Sequence, residues 1–315
     1  METSPSRKRL DLPRRSNRLK VKCHNKGSNY GRCQTTAHMS LLSPHKSNLM
    51  GPSKSPKEPK SAIFELPPNL KADDVDLSPL DLKILLKKQD WLRKNSVALP
   101  DQHASTKKIA EATLVFGQEE AGTAVCISEK GILLTCSHCV AETESELELE
   151  RLHYMLFASG QIIQAKCIAW DARRDLALLK IVAAQAPHDS SFPAAQVSSQ
   201  EPKIRQRILC VGHPGSTDLE ASLPGLKTNY DTLYVSTGNF HGYAQGQNLH
   251  DNFEIGALQH DCWTYWGHSG APLAHRKTGK LVGLHSSWDE TTGMRRGIPL
   301  DAIHAFMEEN SHYLS

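Results

Sequence analysis

The sequence lacks any run of about eighteen consecutive apolar residues, the length that a membrane-spanning helix requires. We therefore expect no contact with a membrane. The first twenty residues, METSPSRKRLDLPRRSNRLK, also lack the apolar stretch of a secretory signal peptide. Because the chain has eight cysteines but no such signal, we expect mostly reduced thiols and an intracellular location, in the nucleus or the cytoplasm.

Acidic and aromatic residues are scarce at the start of the chain. Residues 1–60 carry a net charge of +11, whereas residues 61–315 carry −8, within an overall +3. This composition predicts a disordered basic tail. Its clusters Arg7–Arg9 and Arg14–Arg15 indicate nuclear import factors or nucleic acid as partners, and the alternative is a solvated tail without a partner. The tail cysteines and histidines do not have the spacing of a zinc site, so no metal or other cofactor is expected.

Helical periodicity is rare, which argues against a parallel α/β sheet. Residues 61–103 are interpreted as a linker with one amphipathic helix at 79–95, for which Ser78 is the predicted N-cap. Residues 104–315 instead contain many short apolar segments separated by turn signals, with a loop-like stretch from Pro187 to Pro202. The strands are predicted at 112–116, 122–128, 132–135, 153–158, 161–170, 175–182, 208–212, 233–237, 255–259, 271–275 and 280–286. This pattern favours an all-β fold of two small barrels in tandem, followed by a short C-terminal helix after Gly297.

Three stretches carry residues suited to nucleophilic catalysis. Ser269 lies in WTYWGHSGAPL with glycines close on both sides, and small neighbours allow a tight turn and a close approach of backbone amides to a carbonyl. His138 ends an apolar segment, GILLTCSHCV, and is either a general base or a surface histidine at a strand end. Asp175 begins the apolar run of DLALLKI and is either the carboxylate that orients the histidine or a strand-start residue paired with a nearby arginine. Asp171 competes with it, but lies beside a tryptophan in a predicted turn.

Together these stretches resemble the motifs of the trypsin-like, chymotrypsin-fold serine proteases, nearest to the HtrA-like catalytic domain. The matching segments are Thr135-Cys136-Ser137-His138, Asp175-Leu176-Ala177-Leu178-Leu179 and Gly267-His268-Ser269-Gly270-Ala271-Pro272-Leu273. The order of histidine, aspartate and serine also matches, and the resemblance covers about residues 107–310. It implies two tandem six-stranded β-barrels, residues 104–315 as the protease domain, and no PDZ-like domain after it.

The resemblance also implies roles for individual residues. His138, Asp175 and Ser269 would form a catalytic triad, and the backbone N–H groups of Gly267 and Ser269 would form an oxyanion hole. The walls of the substrate pocket would include Trp263, Ser286, Ser287 and Trp288. Because an indole would make this pocket shallow and apolar, we expect small or medium apolar side chains rather than Lys or Arg before the cleaved bond.

Some positions depart from the family pattern. His268 stands where secreted relatives carry an aspartate that pairs with a newly cut N-terminus, so activation without such a cut is expected. Cys139 follows the histidine as in those relatives, but Thr123 replaces its usual disulfide partner. Cys136 and Cys139 have the spacing of half a zinc site; no second pair accompanies them, and we interpret them as strand cysteines.

Two functional hypotheses follow. The first is a serine-type endopeptidase that hydrolyses polypeptides through a Ser-His-Asp triad and an acyl-enzyme intermediate. The alternative is a catalytically silent protease fold that acts as a binding module, with the basic tail as a nuclear or nucleic-acid tether.

Overall fold

A computed structural model of the chain describes residues 63–95, 104–117, 122–186, 191–223 and 225–314. The predicted basic tail at 1–60, with its import and nucleic-acid interpretation, lies outside these residues. Part of the loop-like stretch from Pro187 to Pro202 lies outside them as well.

The described residues form three α-helices and thirteen β-strands. The helices are α1 (Pro79–Lys94), α2 (Ala104–Glu111) and α3 (Leu300–Glu309). The strands are β1 (Phe64–Leu66), β2 (Thr113–Phe116), β3 (Thr123–Ser128), β4 (Ile132–Thr135), β5 (His153–Phe157), β6 (Ile162–Asp171), β7 (Leu176–Gln185), β8 (Arg207–Gly212), β9 (Tyr234–Tyr243), β10 (Leu258–His260), β11 (Pro272–His275), β12 (Leu281–Trp288) and β13 (Arg295–Pro299).

The first barrel uses the six strands β2 to β7. They follow one another in the order β7-β4-β3-β2-β5-β6, and pairing of β6 with β7 closes the barrel. The apolar segments ILLT of β4 and LALL of β7 are buried throughout, and they pair antiparallel with Thr135 opposite Ala177. This register places the C-terminal end of β4 and the start of β7 at the same end of the barrel, together with the residues that follow β4 and precede β7.

The second barrel uses the six strands β8 to β13. Their order is β10-β13-β12-β11-β8-β9, and pairing of β9 with β10 closes the ring. Strand β12 lies between β11 and β13, with Leu284 opposite both Pro272 and Ile298. The loop between β10 and β11 contains Ser269 and therefore emerges beside the C-terminal half of β12.

Helix α1 packs on the first barrel. Ser78 caps it by accepting a hydrogen bond from the Asp81 backbone N–H at 3.1 Å, and its apolar side includes the fully buried Leu85. The buried Lys88 ammonium donates to the Phe116 carbonyl oxygen at 2.9 Å, and the Gln89 amide donates to the Gly160 carbonyl oxygen at 2.8 Å. These contacts join the helix to the ends of β2 and the turn after β5.

The all-β prediction with two six-stranded barrels is confirmed. Three elements were not expected: β1, which pairs parallel with β7; α2; and β13 with its polar start Arg295-Arg296. Strand β9 continues to Tyr243, beyond the predicted end at 237, because its edges pair with both β8 and β10 despite two internal glycines. In the described part of the chain, no helix combines the length and apolar character that crossing a membrane requires.

Candidate active site

His138 is held at the end of the first barrel by the turn that follows β4. A short 3₁₀ turn at Ser137–Cys139 begins directly after Cys136 and turns the chain away from the strand. The indole of Trp170 donates to the Ser137 carbonyl oxygen at 3.0 Å, which fixes this turn against β6. About a third of the His138 side chain (35%) remains exposed, so a substrate in solution can reach the ring.

Asp175 reaches the same place from the start of β7. It has a left-handed backbone conformation, with φ of 55°, which aspartate tolerates better than most residues. Its side chain is 5% exposed, and its Oδ1 lies 2.8 Å from His138 Nδ1. The same oxygen accepts from the Ser137 hydroxyl at 3.0 Å and the His138 backbone N–H at 3.3 Å. Asp171, the competing carboxylate, instead pairs with the Arg174 guanidinium at 3.1 Å.

The carboxylate changes the proton affinity of the ring. Burial is the largest influence on the pKa of His138 and lowers it, but attraction to Asp175, Cys139 and Glu142 together with the hydrogen bond to Asp175 more than offsets burial, so the net pKa lies above the ordinary value. Because Nδ1–H donates to Asp175, the neutral imidazole presents the lone pair of Nε2 outward. This is the tautomer that a general base requires.

Ser269 lies in a loop with two glycines, Gly267 and Gly270, at positions where any side chain would be strained. Gly267 and Gly270 have φ values of 95° and 80°, where residues with a side chain are strained. A Cβ on Gly267 would lie 2.4 Å from the His213 carbonyl oxygen, and one on Gly270 would lie 2.1 Å from the Thr123 carbonyl oxygen. The loop therefore packs directly against the backbone of both barrels.

Some of the backbone N–H groups around Ser269 donate hydrogen bonds within the protein, and others do not. Gly270 N–H donates to the His285 carbonyl oxygen, and Ala271 N–H donates to the His268 carbonyl oxygen, both at 2.8 Å. In the described chain, the N–H groups of Gly267 and Ser269 donate to no protein acceptor. Two unpaired donors flanking a serine hydroxyl are the arrangement that stabilises a developing oxyanion.

The Ser269 hydroxyl donates to the Ser286 carbonyl oxygen at 3.2 Å. The His138 turn lies against the same loop, because the Cys139 thiol contacts the Ser269 carbonyl oxygen at 3.5 Å. Among the described residues, no hydrogen bond joins Ser269 Oγ to His138. Catalytic hydrogen bonds of this kind are often loose without substrate and tighten when it binds.

Thr123 links the two barrels at this loop, a role that the sequence did not indicate. Its hydroxyl donates to the Gly267 carbonyl oxygen at 2.9 Å and accepts from the His213 backbone N–H at 3.0 Å. Its own backbone N–H donates to the Ser269 carbonyl oxygen at 2.8 Å. Thr123 therefore holds the serine loop by hydrogen bonds.

His268 is fully buried and uncharged. Burial lowers its pKa to about 3, and its Nδ1 lies 3.0 Å from the Tyr265 carbonyl oxygen. The absence of a side chain at Gly212 makes room for it, since a Cβ there would lie 2.5 Å from the imidazole and 2.9 Å from Ala271 Cβ. A neutral ring therefore fills this position, and Ala271 fits beside it.

The expected pocket residues lie on two neighbouring segments. Trp263 packs edge-on against Tyr230, Tyr234 and His268, with ring centroids 5.0 to 5.6 Å apart. Ser286 and Ser287 have their hydroxyls 3.3 Å apart, and Trp288, at the end of β12, is exposed.

The positively charged side chain of Arg295 lies between these segments. The Arg295 guanidinium is 5.3 Å from the centroid of the Trp288 ring and donates to the Thr264 carbonyl oxygen at 3.4 Å. Burial lowers its pKa from the ordinary value of 12.5, but an arginine remains charged at neutral pH. Sequence reasoning missed Arg295 because β13 was not recognised as a strand opposite β12.

Comparison with known proteins places this geometry in a family. Residues 122–284 match the model of the trypsin-like peptidase domain. A probable periplasmic serine endoprotease, DegP-like, from Ectopseudomonas mendocina is 26% identical over 166 residues, covering 52% of this chain and 29% of that protein. A protein of the same description from Pseudomonas putida strain GB-1 is 25% identical over 185 residues, covering 57% and 32%. The chain thus matches about a third of the length of these relatives.

A solved structure is also similar. The crystal structure of the serine endoprotease from Yersinia pestis superposes with a TM-score of 0.48 at 23% identity, and the match covers 67% of each chain.

The predicted location is wrong. The relatives are named periplasmic serine endoproteases, which contradicts the expected nucleus or cytoplasm. That expectation depended on the first residues, which lie outside the matched range, and on cysteine usage. The six described cysteines (Cys126, Cys136, Cys139, Cys167, Cys210 and Cys262) are unpaired, but an unpaired thiol does not by itself specify a compartment.

The motif resemblance to trypsin-like serine proteases is confirmed. The family model spans more than half of the 315 residues and includes the loops of all three candidate residues. The chain therefore belongs to the trypsin-like peptidase domain family.

Proposed function

We propose that this protein is a serine endopeptidase in which Ser269 is the nucleophile, His138 the general base and Asp175 the residue that orients the base. The contact of 2.8 Å between His138 Nδ1 and the nearly buried Asp175 carboxylate carries this proposal, because it selects the catalytic tautomer. In this proposal residues 104–315 are the peptidase domain, and polypeptides are the substrates.

Acylation would begin when Ser269 Oγ attacks the scissile carbonyl carbon. His138 Nε2 takes the hydroxyl proton, and the carbonyl oxygen becomes negative as the tetrahedral intermediate forms. The unpaired N–H groups of Gly267 and Ser269 support its stabilisation, and loss of one such donor in comparable enzymes costs roughly 3 to 4 kcal/mol. His138 then returns the proton to the amine, the C–N bond breaks, and an ester to Ser269 remains.

Deacylation would repeat these roles with water. His138 takes a proton from a water molecule as its oxygen attacks the ester carbonyl, and a second tetrahedral intermediate forms. Collapse breaks the bond to Ser269 Oγ, which recovers the proton from His138. The neutral His268 indicates that no charged N-terminus is needed to hold the loop, which supports activity without a prior cut.

We also propose that the residue before the cleaved bond is acidic or small rather than basic. Arg295 supplies a positive charge between the two segments that carry the pocket residues, so a Lys or Arg side chain would meet like charge. An Asp or Glu side chain would find a partly desolvated guanidinium, which forms strong charge-assisted hydrogen bonds to carboxylates.

A digest of a mixed peptide library tests the function. The full chain should cut peptides internally, and products read by mass spectrometry should be absent with Ser269→Ala, whose thermal unfolding should match the wild type. Equal cleavage by both proteins, or none by the wild type, would contradict the proposal.

A further inference from the structure

Ser137 directly precedes the candidate base and is itself buried. It is 3% exposed and begins the 3₁₀ turn that holds His138. Its carbonyl oxygen accepts from the Trp170 indole at 3.0 Å and from the Val140 backbone N–H at 2.9 Å. Because these bonds fix the backbone of Ser137, the turn also sets the direction of its side chain.

The hydroxyl of Ser137 donates to the carboxylate of the candidate triad. It lies 3.0 Å from Asp175 Oδ1, the same oxygen that lies 2.8 Å from His138 Nδ1. An ionised carboxylate can only accept a hydrogen bond, so the serine is the donor. Within the described part of the chain, the hydroxyl makes no other hydrogen bond. Its single proton is therefore committed to Asp175.

This bond helps to hold the carboxylate in place. Asp175 Oδ1 accepts hydrogen bonds from the Ser137 hydroxyl, the His138 backbone N–H and the His138 ring, all of which belong to one short turn. Hydrogen bonds to an ionised acceptor are shorter and stronger than those between neutral groups. The carboxylate, at the start of β7, is thereby tied to the turn that follows β4.

The same bond also affects the proton affinity of the ring. A donor on a carboxylate stabilises part of its negative charge, which weakens the attraction of that carboxylate for a neighbouring cation. Protonated His138 is such a cation, since its Nδ1 contacts the same oxygen. Loss of the Ser137 hydroxyl should therefore raise the pKa of His138 further.

Other titratable groups interact with this pair, and none of them is changed when Ser137 is replaced. Glu142 lies in the loop after the turn and attracts the protonated ring. The remaining groups are Cys136 and Cys139 on the turn itself and the buried His285 on β12. A change in the titration of His138 on substitution of Ser137 thus reports the missing hydroxyl.

We propose that Ser137 is a positioning residue of the candidate active site, whose hydroxyl holds the Asp175 carboxylate and moderates its attraction for the protonated His138 ring. The consequence for catalysis rests on the proposed function. The effect on the ring does not, because it depends only on the contacts among these three residues.

The pH dependence of peptide hydrolysis tests this role. In Ser137→Ala the midpoint of kcat/KM should rise by about 0.5 to 1 pH unit, since only part of the hydrogen bond to the charged carboxylate is transmitted to the ring. Below both midpoints kcat/KM should be about three- to tenfold lower than in the wild type, because the neutral fraction of the ring falls tenfold per pH unit. Above both midpoints the two proteins should have nearly equal kcat/KM.

The crossing of the two profiles separates positioning from a merely structural role. A loss of the same size at every pH, or an unmoved midpoint, overturns the proposal. Ser198→Ala is the matched control, because it removes a buried serine hydroxyl that donates to the Gln200 carbonyl oxygen, outside the candidate site. Its midpoint should equal that of the wild type.

Nuclear magnetic resonance tests the effect on the ring without hydrolysis. The full chain with ¹⁵N-labelled histidine should show the His138 signal, assigned by its absence in His138→Gln, titrating at a higher pH in Ser137→Ala than in the wild type. Ser137→Cys, which keeps the side-chain size but has a weaker donor, should shift in the same direction by less. A midpoint that falls in either variant, or that stays unchanged in Ser137→Ala, overturns the proposal.

The two proposals fail in different ways. A shifted His138 titration in a protein that hydrolyses no peptide would refute only the proposed function. Hydrolysis whose pH profile is the same in the wild type and in Ser137→Ala would refute only the role of Ser137.

Discussion

Asp175→Asn separates the proposed triad from a merely structural carboxylate. Asparagine has nearly the same size and also tolerates the left-handed backbone at this position, where φ is 55°. The substitution removes the negative charge beside His138 and can present an amide N–H where Oδ1 now accepts three hydrogen bonds. The fold should therefore persist while the electrostatics of the base change.

The size of the effect follows from the geometry. Nδ1 and Oδ1 are 2.8 Å apart, and because both charges are delocalised their centres are about 4 Å apart. With an effective dielectric constant of about 20, which allows for water around the partly exposed ring, the attraction to the imidazolium is about 4 kcal/mol, or about a thousandfold in rate. The wrong tautomer adds to this loss, and the same change in a comparable triad costs about ten-thousandfold.

The assay is steady-state hydrolysis of a peptide that the wild type cleaves. We expect kcat to fall between about 10³-fold and 10⁴-fold with Asp175→Asn. Asp171→Asn is the matched control, since Asp171 pairs with Arg174 rather than with His138, and its kcat should stay close to that of the wild type. A loss below tenfold for Asp175→Asn, or an equal loss for Asp171→Asn, would refute the assignment of Asp175.

Three further changes have expected outcomes. Because the pKa of His138 is raised and only the neutral ring accepts a proton, kcat/KM of the wild type should rise with pH with a midpoint above 6.5. This midpoint should shift to lower pH in Asp175→Asn, and a midpoint that does not move would contradict the link between the two residues. Thr123→Val should lower kcat about tenfold or more, because it removes the hydroxyl that holds Gly267. Thr113→Val, in the neighbouring strand, should leave kcat unchanged, and equal kcat values for the two variants would exclude this role of the Thr123 hydroxyl. Arg295→Glu should reverse the preference before the cleaved bond from acidic toward basic residues, and a library profile identical to the wild type would exclude Arg295 from the pocket.

Much of the fold could be predicted because the strands are encoded locally. The apolar segments of β4 and β7 are buried along nearly their whole length, and such runs between turn signals indicate strands without knowledge of their partners. Strand β13 was not predicted because Arg295 and Arg296 interrupt its apolar pattern. Only its pairing with both β10 and β12 makes it a strand. Tertiary contacts overrode local composition there.

The candidate site could likewise be predicted from the sequence only in part. The motifs around His138, Asp175 and Ser269 predicted the three candidate residues, since each motif is a short local pattern. The contribution of Thr123 could not be predicted, because its hydroxyl meets Gly267 across 144 positions of sequence. The proximity of Cys136 to Asp175 likewise depends on the register of β4 with β7, which the sequence alone does not specify.

The central claim is that Ser269 is an activated nucleophile, and covalent labelling tests it most directly. The full chain should react with a fluorophosphonate, and peptide mass spectrometry should locate a single phosphonyl group on Ser269. Ser269→Ala should carry none, and His138→Ala should react far more slowly. A wild type that takes up no label, or a Ser269→Ala protein that is labelled as fast as the wild type, would contradict the account and favour a protease fold without catalytic activity.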